Sequence, residues 1–406
     1  MTIKGFFFET RQDEKVLIIE GRIRAAEKNR CPHCSKKCPG YDYGDGYREW
    51  RHVDSNGYKV YIRAVQPRIS CPKHGVVTCA VPWARHGMNC THDFEQTVTW
   101  LTKHMSMSAV GEYMRTQYRT VSNIVKRVYD SMVNKNRFDN LQRIGIDETS
   151  YKVGHIYMVT VINHDTGKII WAGKDCGEDT LRKFFEELTP EQRESIKYIT
   201  ADSAQYIAKL AKEYCPKAKR CVDRFHVVKW ATEALDEVRR DLWRDAHKAA
   251  KRKNASSETK AKAKAIKNTR YAVLKNPEHL TESQLATLEL QVKSNPKYYH
   301  AYLLKEKLRL AFSHSVDEAE NQIDEFIFQA TKSDMPEFVA LAERIERHKE
   351  AILDTIRYGL SNGRVEAINN NIKRTIRIGY GFHSFESLIS VVLIRSGDVS
   401  VTLPRR

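Results

Sequence analysis

The stretch Arg143-Ile-Gly-Ile-Asp147-Glu148 decides the fold, because it reads as a short apolar strand that closes on a carboxylate. A second stretch of the same kind, Tyr198-Ile-Thr-Ala-Asp202, follows later in the chain. Strand ends expose carboxylates at one edge of a sheet, so we expect Asp147 and Asp202 to share that edge. Adjacent residues on a strand face opposite ways, so Asp147 and Glu148 cannot serve one site equally. Asp147 is the choice and Glu148 the alternative.

A third acid, Glu366, lies within the helical pattern Ser361-Asn-Gly-Arg-Val-Glu366-Ala-Ile-Asn-Asn370. A helix packed across the sheet edge would add this carboxylate to the other two. Hard cations such as Mg²⁺ prefer oxygen ligands, and two of them roughly 4 Å apart can clamp both the attacking and the leaving oxygen of a phosphodiester. Each acid alone would more often be a turn residue or a helix cap. The joint pattern favours a metal site that cuts nucleic acid.

Composition and charge indicate the class of partner. The chain has 406 residues, enough for two to four domains, and its net charge of +17 with a pI near 9.3 indicates a polyanionic partner. It contains no run of eighteen apolar residues, and the apolar start around Phe6 to Phe8 is too short for a secretion signal. Nine cysteines, an odd number, fit a reducing compartment. These features predict a cytoplasmic protein without a membrane span that binds nucleic acid.

Paired cysteine motifs predict a structural zinc site near the N-terminus. Cys31-Pro-His-Cys34 and Cys71-Pro-Lys-His74 together supply four ligands for tetrahedral Zn²⁺: Cys31, Cys34, Cys71 and His74. Between them, aromatic and basic residues alternate as in short antiparallel strands with a basic face. The alternative is that some of these cysteines are only buried thiols, and His33 or Cys38 could replace one ligand. Cys79 and Cys90 have no partner at ligand spacing and are expected in the core.

Two helical segments after Thr91 resemble a helix-turn-helix. Apolar residues recur on one face from Asp93 to Met105, and the segments Ser108 to Arg115 and Thr120 to Tyr129 follow around a short turn. The second of these would bury its valines and isoleucine and turn four polar residues outward: Ser122, Asn123, Lys126 and Arg127. Such a helix can read base edges in a major groove. Many helix pairs that bind nothing share this periodicity, so a purely structural role is the alternative.

The segment after Asp147 alternates strands and helices. Strands at 157–162 and 168–172 flank a hairpin turn, a helix spans 180–188, and short strands end at Asp202 and Asp223. This order resembles the ribonuclease-H-like fold. Asp223 is expected to pair with His226 and orient the long helix that begins there, with a direct metal role as the lesser alternative. From about 235 to 356 the pattern is helical, and its basic run from Lys248 to Arg270 is either a solvated face or a phosphate contact.

The helix around Glu366 combines acid, amide and cations on one face. Asn370, Lys373 and Arg377 follow Glu366 at helical spacing, an arrangement suited to a helix lying along a DNA backbone. An exposed helix with an internal acid–base face is the alternative. The segment Ile378-Gly-Tyr-Gly-Phe382 should end this helix, and residues 385–394 should form a closing apolar helix.

These motifs together resemble a known family. Cys31-Pro-x-Cys34 with Cys71-Pro-x-His74, Ile146-Asp147-Glu148, Thr200-Ala-Asp202, Asp223-Arg-Phe-His226-Val-Val-Lys229, and Asn362-Gly-x-x-Glu366-x-x-Asn369-Asn370-x-Ile-Lys373 resemble the bacterial insertion-sequence transposases of the ISL-three family. The resemblance extends over essentially the whole chain. It implies a DDE transposase whose catalytic, Mg²⁺-holding acids fall on Asp147, Asp202 and Glu366.

The expected fold is a multidomain α+β chain in which a ribonuclease-H-like α/β catalytic core is interrupted by an all-helical insertion. We expect a zinc-binding domain at 1–90, a helix-turn-helix domain at 91–138, core segments at 139–234 and 357–406, and the helical insertion at 235–356. The resemblance implies two Mg²⁺ ions, for which Mn²⁺ substitutes, besides the structural Zn²⁺. It also implies binding of double-stranded DNA, both the terminal inverted repeats and the target, in the bacterial nucleoid. Paired cleavage of the two element ends predicts a homodimer on DNA.

Three other readings compete with a transposase. A non-catalytic zinc and helix-turn-helix regulator with an inert core would bind specifically without cutting. A structure-specific nuclease on the same fold would cut branched DNA irrespective of sequence. A tyrosine recombinase would need an Arg/His/Tyr constellation, and the sequence shows no convincing one. The three intact acids place the regulator second, and the nuclease is third.

Overall fold

The computed structural model describes residues 1–152, 154, 156–201, 204–222, 224–252, 254–273, 275, 277–293, 295–360 and 363–404. The chain divides into two compact units. The first comprises Met1–Arg137 with Asn370–Arg406, and the second comprises Phe138–Asn369. None of the described helices is long and apolar enough to cross a membrane. All nine cysteines are present as free thiols.

Two small sheets form the N-terminal part of the first unit. The four-stranded sheet has the order β1-β2-β5-β4 and the three-stranded sheet the order β3-β6-β7. Strand β2 pairs with β5 in parallel, whereas the other pairs are antiparallel. The strands are β1 (Thr2–Arg11), β2 (Glu14–Arg22), β3 (Gly40–Asp42), β4 (Tyr47–Ser55), β5 (Tyr58–Val65), β6 (Arg68–Cys71) and β7 (Gly75–Thr78).

Helices α1 (His92–Thr102), α2 (Met107–Tyr113) and α3 (Tyr118–Met132) complete the first unit, together with α15 (Phe385–Ser396) near the C-terminus. Side-chain caps start α1 and α2, because Thr91 and Ser106 each accept a hydrogen bond from a backbone N–H of the first turn. Helix α3 buries Val121, Ile124, Val125 and Val128, as its periodicity predicts. The apolar side chains of α15, among them Val391 and Ile394, belong to the same core.

A five-stranded sheet with the order β10-β9-β8-β11-β12 organises the second unit. Strands β8, β9 and β10 form an antiparallel meander, and β11 runs parallel to both β8 and β12. The strands are β8 (Arg143–Lys152), β9 (Ile156–Asn163), β10 (Lys168–Lys174), β11 (Tyr198–Ala201) and β12 (Lys219–Val222). Helices α4 (Glu178–Glu187) and α6 (Gln205–Tyr214) pack their apolar faces against this sheet, and the short α5 (Pro190–Ser195) precedes β11.

Helices dominate the chain after β12. They are α7 (Arg224–Ala250), α8 (Ser257–Asn268), α9 (Arg270–Val273), a 3-10 turn (Pro277–His279), α10 (Glu282–Lys293), α11 (Pro296–Ala311), α12 (Val316–Thr331) and α13 (Pro336–Arg357). Their buried faces form one continuous apolar core that includes Trp230, Phe326 and Phe338. Helix α14 (Gly363–Gly379) follows, and the boundary between the two units falls within it, after Asn369.

The structure confirms most of the predicted elements and corrects three. The strand that contains Asp147 does not end there: β8 continues to Lys152, because β9 pairs with it along this whole length. The pairing of β8 with the parallel strand β11 ends just before Asp147, because the last paired residue of β11, Ala201, lies opposite Ile146. The long helix after β12 begins at Arg224 and runs without a break past Leu235. The hairpin of β1 and β2 was not predicted.

Candidate active site, zinc cluster and DNA-facing helices

Asp147 is bound by a side chain of α14. The amide nitrogen Nδ2 of Asn369 donates a hydrogen bond to Asp147 Oδ2, and Thr149 Oγ1 donates to Asn369 Oδ1 over 2.6 Å. Asp147 and Thr149 are two residues apart on β8 and therefore share a face. Asn369 thus bridges both side chains and fixes the orientation of the Asp147 carboxylate. Glu366 lies one helical turn before Asn369 on α14 and is exposed.

Glu148 has a different environment from Asp147. It accepts a hydrogen bond from the hydroxyl of Tyr206 on α6. Burial raises the pKa of Tyr206 far above its usual value, and the hydrogen bond to Glu148 raises it further, so this phenol stays protonated. The two neighbouring acids therefore face different helices. Asp147 is the one that contacts the helix carrying Glu366.

A glycine lets α14 lie close against the sheet. A Cβ atom on Gly145 would stand 2.9 Å from Val365 Cγ2, and equally 2.9 Å from Ile162 Cγ1 and His164 Nε2. Such distances are too short for real carbon contacts, so any larger residue would push Val365 away. Val365 and Ile368 are buried, while Glu366 between them is exposed. The absence of a side chain at Gly145 therefore positions the helix segment that presents Glu366.

His164 joins three elements beside Gly145. Its ring lies 2.6 Å (Nε2) from the Thr200 hydroxyl of β11, and its carbonyl oxygen accepts a hydrogen bond from Arg364 of α14. Burial lowers the pKa of His164 to about 4, with the nearby Arg364 as the next cause, so the ring is neutral near pH 7. Sequence reasoning placed this residue only in a hairpin turn. Nothing in its spacing indicates the contact with Thr200.

Two predicted acids, Asp202 and Asp223, lie outside the described residues. Strand β11 ends at Ala201, the residue before Asp202, and β12 ends at Val222, the residue before Asp223. His226, the predicted partner of Asp223, is half-buried in the first turn of α7, with its ring 5.7 Å from that of Phe225. The roles of all three therefore stay predictions.

The four predicted zinc ligands come together. One ligand atom from each of Cys31, Cys34, Cys71 and His74 lies within 4.8 Å of all the others. Although burial opposes ionisation of the Cys71 thiol, hydrogen bonds from the backbone amides of Lys73 and His74 and from the His74 ring lower its pKa to about 6. Three thiols and an imidazole, one thiol already stabilised as thiolate, are the soft donor set of a closed structural Zn²⁺ site.

The two substitute ligands lie beside this cluster. The ring of His33 is 5.1 Å from the ring of His74 and 5.6 Å from that of His86. Cys38 is buried, and its thiol donates to the carbonyl oxygen of Lys36 over 3.4 Å. Burial raises the pKa of Cys38, and the neighbouring Cys71 raises it further. The pKa of Cys34 is raised too, so protonation does not separate these two cysteines. The close grouping of one ligand atom from each of the four original residues is what supports the original set.

The predicted DNA-reading residues of α3 fall into two groups. Ser122 and Arg127 are engaged within the unit: the Ser122 hydroxyl lies 2.7 Å from that of Ser387, and Arg127 donates to the buried carboxylate of Glu95. Asn123 and Lys126 are exposed. Arg119, which the sequence analysis did not single out, is also exposed and lies one turn before Asn123 on the same stripe. The Glu95 contact is long-range, so no local pattern reveals it.

The predicted DNA-facing residues of α14 are all accessible. Asn370, Lys373 and Arg377 are exposed along the part of this helix that belongs to the first unit. The residue that contacts Asp147 is instead Asn369, which lies three positions after Glu366. The predicted stripe runs from Glu366 to Asn370, four positions later, and therefore does not include Asn369.

Comparison with protein families covers the three segments of the chain. A family model described as a transposase of the ISL3 type, with the DDE designation, matches residues 144–392. The helix-turn-helix domain of transposase family ISL3 matches residues 79–129. The zinc finger of the IS204/IS1001/IS1096/IS1165 transposases matches residues 27–74, which include all four clustered ligands. The combination defines a DDE transposase with a zinc finger and a helix-turn-helix.

Curated relatives agree with these matches. The transposase for insertion sequence element IS1557 of Mycobacterium tuberculosis is 42% identical over 402 residues, covering 96% of this chain and 90% of the relative. The transposase for IS1001 of Bordetella parapertussis is 24% identical over 359 residues, covering 88% of this chain and 86% of the relative. This chain therefore belongs to the ISL3 family of transposases. Membership does not favour the alternative of a non-catalytic regulator.

Proposed function

We propose that this protein binds the terminal inverted repeats of its own insertion sequence, cuts the DNA at the element's ends and joins the freed 3′ ends to target DNA. The observation that carries the proposal is the hydrogen bond from Asn369 to Asp147. It brings the acid of β8 to the helix turn that begins with Glu366, as a site built from these two carboxylates requires.

The catalytic core in this proposal is ribonuclease-H-like. The antiparallel β10-β9-β8 meander extended by the parallel strands β11 and β12 supports it, as do helices packed on the sheet. The helices of residues 235–356 are then an insertion between core segments 139–234 and 357–406, with the zinc-binding domain at 1–90 and the helix-turn-helix at 91–138. Because α7 is one helix from Arg224 to Ala250, the insertion continues a helix that starts in the core.

Asp147, Asp202 and Glu366 are the residues that would hold Mg²⁺. The donor chemistry fits, since carboxylate oxygens are the ligands that hard divalent cations prefer, and Asp147 and Glu366 both belong to the second unit. When bound, the ions would make an attacking hydroxyl more acidic and offset charge at the phosphate. Asn369 and Thr149 keep the Asp147 carboxylate in one orientation before DNA arrives. Such preorganisation lowers the cost of assembling the site.

DNA binding is assigned to the zinc-binding domain, the helix-turn-helix and the exposed side of α14. Exposed Asn123 and Lys126 on α3 and exposed Lys373 and Arg377 on α14 would contact DNA, supported by the net charge of +17. Ser122 and Arg127 would instead support α3 from within. Because two ends of one element must be cut together, we propose that the protein acts as a homodimer on DNA, in the nucleoid.

The test is cleavage of a labelled duplex that carries the element's terminal repeat, with Mg²⁺ or with EDTA. We expect metal-dependent nicking at the repeat boundary that Asp147→Asn and Asp202→Asn abolish. Glu148→Gln is the matched control, because it changes the adjacent carboxylate on the same strand and should leave cleavage measurable. Tight binding of the repeat without any cut in either condition would refute the proposal in favour of a regulator.

A further inference from the structure

A cleft within the first unit is lined by cationic side chains that belong to neither the proposed active site nor the zinc cluster. Its volume is about 340 Å³. It lies among the C-terminal end of α1, the second half of α14 and the C-terminal end of α15. Four of its lining side chains are Lys103, His104, Arg374 and Arg395, and polar Asn371, Thr375 and Ser396 lie between them. None of the described residues that line it is an acid.

Arg395 forms the fixed floor of this cleft. Its guanidinium donates to the carbonyl oxygen of Thr102 over 2.9 Å (Nη2) and to the hydroxyl of Thr375 over 3.2 Å (Nη1). Burial lowers the pKa of Arg395, and the like charge of Arg374 lowers it further. An arginine held by neutral acceptors beside a second cation retains an uncompensated positive charge. Such a charge is stabilised when an anion enters.

Capping of α1 explains only part of this arrangement. Arg395 satisfies a carbonyl at the end of α1, which is an ordinary role for a cation at a helix C-terminus. That role does not require Arg374 or Lys103. Neither of these two forms an ion pair within the part of the chain that the structure describes, and Arg374 is exposed on α14. Three long cationic side chains around one small cleft give it a positive charge that suits an anion.

We infer that this cleft binds a phosphate group of the DNA backbone, with Arg374, Lys103 and Arg395 as its donors. Planar guanidinium groups match the oxygens of a phosphate, and lysine adds a mobile point charge. DNA is favoured over a free anion because exposed Lys373 and Arg377 lie on the same stretch of α14, so a backbone that follows these residues passes the cleft. The inference rests on the proposed function as a DNA-binding enzyme.

The first measurement is the affinity of the full-length protein for a labelled terminal-repeat duplex and for a random duplex, by fluorescence anisotropy at several salt concentrations. Arg374→Gln should weaken both complexes about 5- to 10-fold, because a phosphate contact carries no sequence information. It should also reduce the slope of log K against log salt by about 1. Lys103→Gln should do the same. Lys183→Gln, which removes an exposed cation from α4, is the matched control and should change neither.

The second measurement locates the phosphate. Duplexes with a neutral methylphosphonate at one position at a time should include one position at which Arg374→Gln no longer weakens binding. The inference would be overturned if Arg374→Gln had the same affinity as Lys183→Gln for both duplexes. This holds even where the wild type binds the repeat and the proposed function stands. Failure of the wild type to prefer the repeat would count against the proposed function alone, since the random duplex still tests the cleft.

Inorganic phosphate tests the other source of the same chemistry. At constant ionic strength, millimolar phosphate should stabilise the wild type against heat no more than it stabilises Arg374→Gln. A phosphate-dependent rise in Tm that Arg374→Gln abolishes, with DNA affinity unaffected by the substitution, would assign the cleft to a free anion and overturn the DNA assignment. Circular dichroism of each variant checks that it is folded.

Discussion

Gly145→Ala should both destabilise the second unit and impair DNA cleavage. The new Cβ would lie 2.9 Å from Val365, Ile162 and His164, and the His164 ring is held by its 2.6 Å contact with Thr200. Overpacking of this kind costs about 1–3 kcal/mol, of which about 0.5–1 kcal/mol is offset because alanine replaces glycine in a strand. The net loss is about 0.5–2 kcal/mol. At about 3 °C per kcal/mol for a unit of this size, Tm should fall by about 2–6 °C.

Thermal melts measure the loss of stability, and cleavage of a repeat-end duplex measures the loss of activity. Cleavage well below Tm should fall while binding of the repeat is kept, because displacement of Val365 moves the adjacent Glu366. Adding Val365→Ala to Gly145→Ala should relieve part of the strain. The double variant should therefore be more stable than the sum of the two single effects predicts. Gly5→Ala is the control, since nothing lies within 4 Å of its Cβ position. A Gly145→Ala protein with unchanged Tm and unchanged cleavage would refute the packing argument.

Four further predictions follow from individual contacts. Asn369→Ala should lower the cleavage rate about 10- to 100-fold while affinity for the repeat changes less than twofold. Thr149→Val should act in the same direction but less strongly. An equal loss of repeat affinity, measured by fluorescence anisotropy, would contradict this prediction. The pKa of His164 is about 4 in the folded protein and 6.5 in the unfolded chain, so the unfolded chain binds the proton first as the pH falls. The free energy of unfolding should therefore decrease between about pH 6.5 and pH 4, by up to about 3 kcal/mol. His164→Asn should remove this part of the dependence of Tm on pH. Cys34→Ser should lose zinc in a metal assay and Cys38→Ser should keep it; the reverse result would exchange their roles. Glu95→Gln leaves Arg85 and Arg127 facing a neutral amide and should cost about 2 kcal/mol, measured by urea unfolding, whereas a shift below the error of the measurement would show that the arginines find other partners.

Periodicity was sufficient to predict most elements, because burial on one face leaves a direct pattern in sequence. Helix α3 buries the four residues that its spacing indicates, and the β9–β10 hairpin forms around the turn residues that predicted it. The end of β8 was wrong for a physical reason. Apolar alternation stops at Asp147, but the strand continues because β9 supplies hydrogen-bond partners up to Lys152. A strand's length depends on its neighbour, which local sequence does not contain.

The grouping of the zinc ligands was predictable from the sequence, whereas the contacts around Asp147 were not, and the three catalytic acids stay a prediction. The zinc ligands follow from knuckle spacing, and the structure brings all four together. Asn369 was passed over because helical neighbours lie at steps of both three and four, and only the position of β8 selects between them. The contact of His164 with Thr200 joins residues from different strands. Such pairs have no signature in a single sequence.

The proposed metal site is tested most directly by the Glu366→Gln protein, compared with the wild type for repeat binding and for Mg²⁺-dependent cleavage at the repeat boundary. The substitution keeps the size of an exposed side chain and removes only its charge. We expect repeat affinity within twofold of the wild type and no detectable cleavage. Cleavage at the wild-type rate would contradict this expectation, because the third acid would then have no part in the reaction.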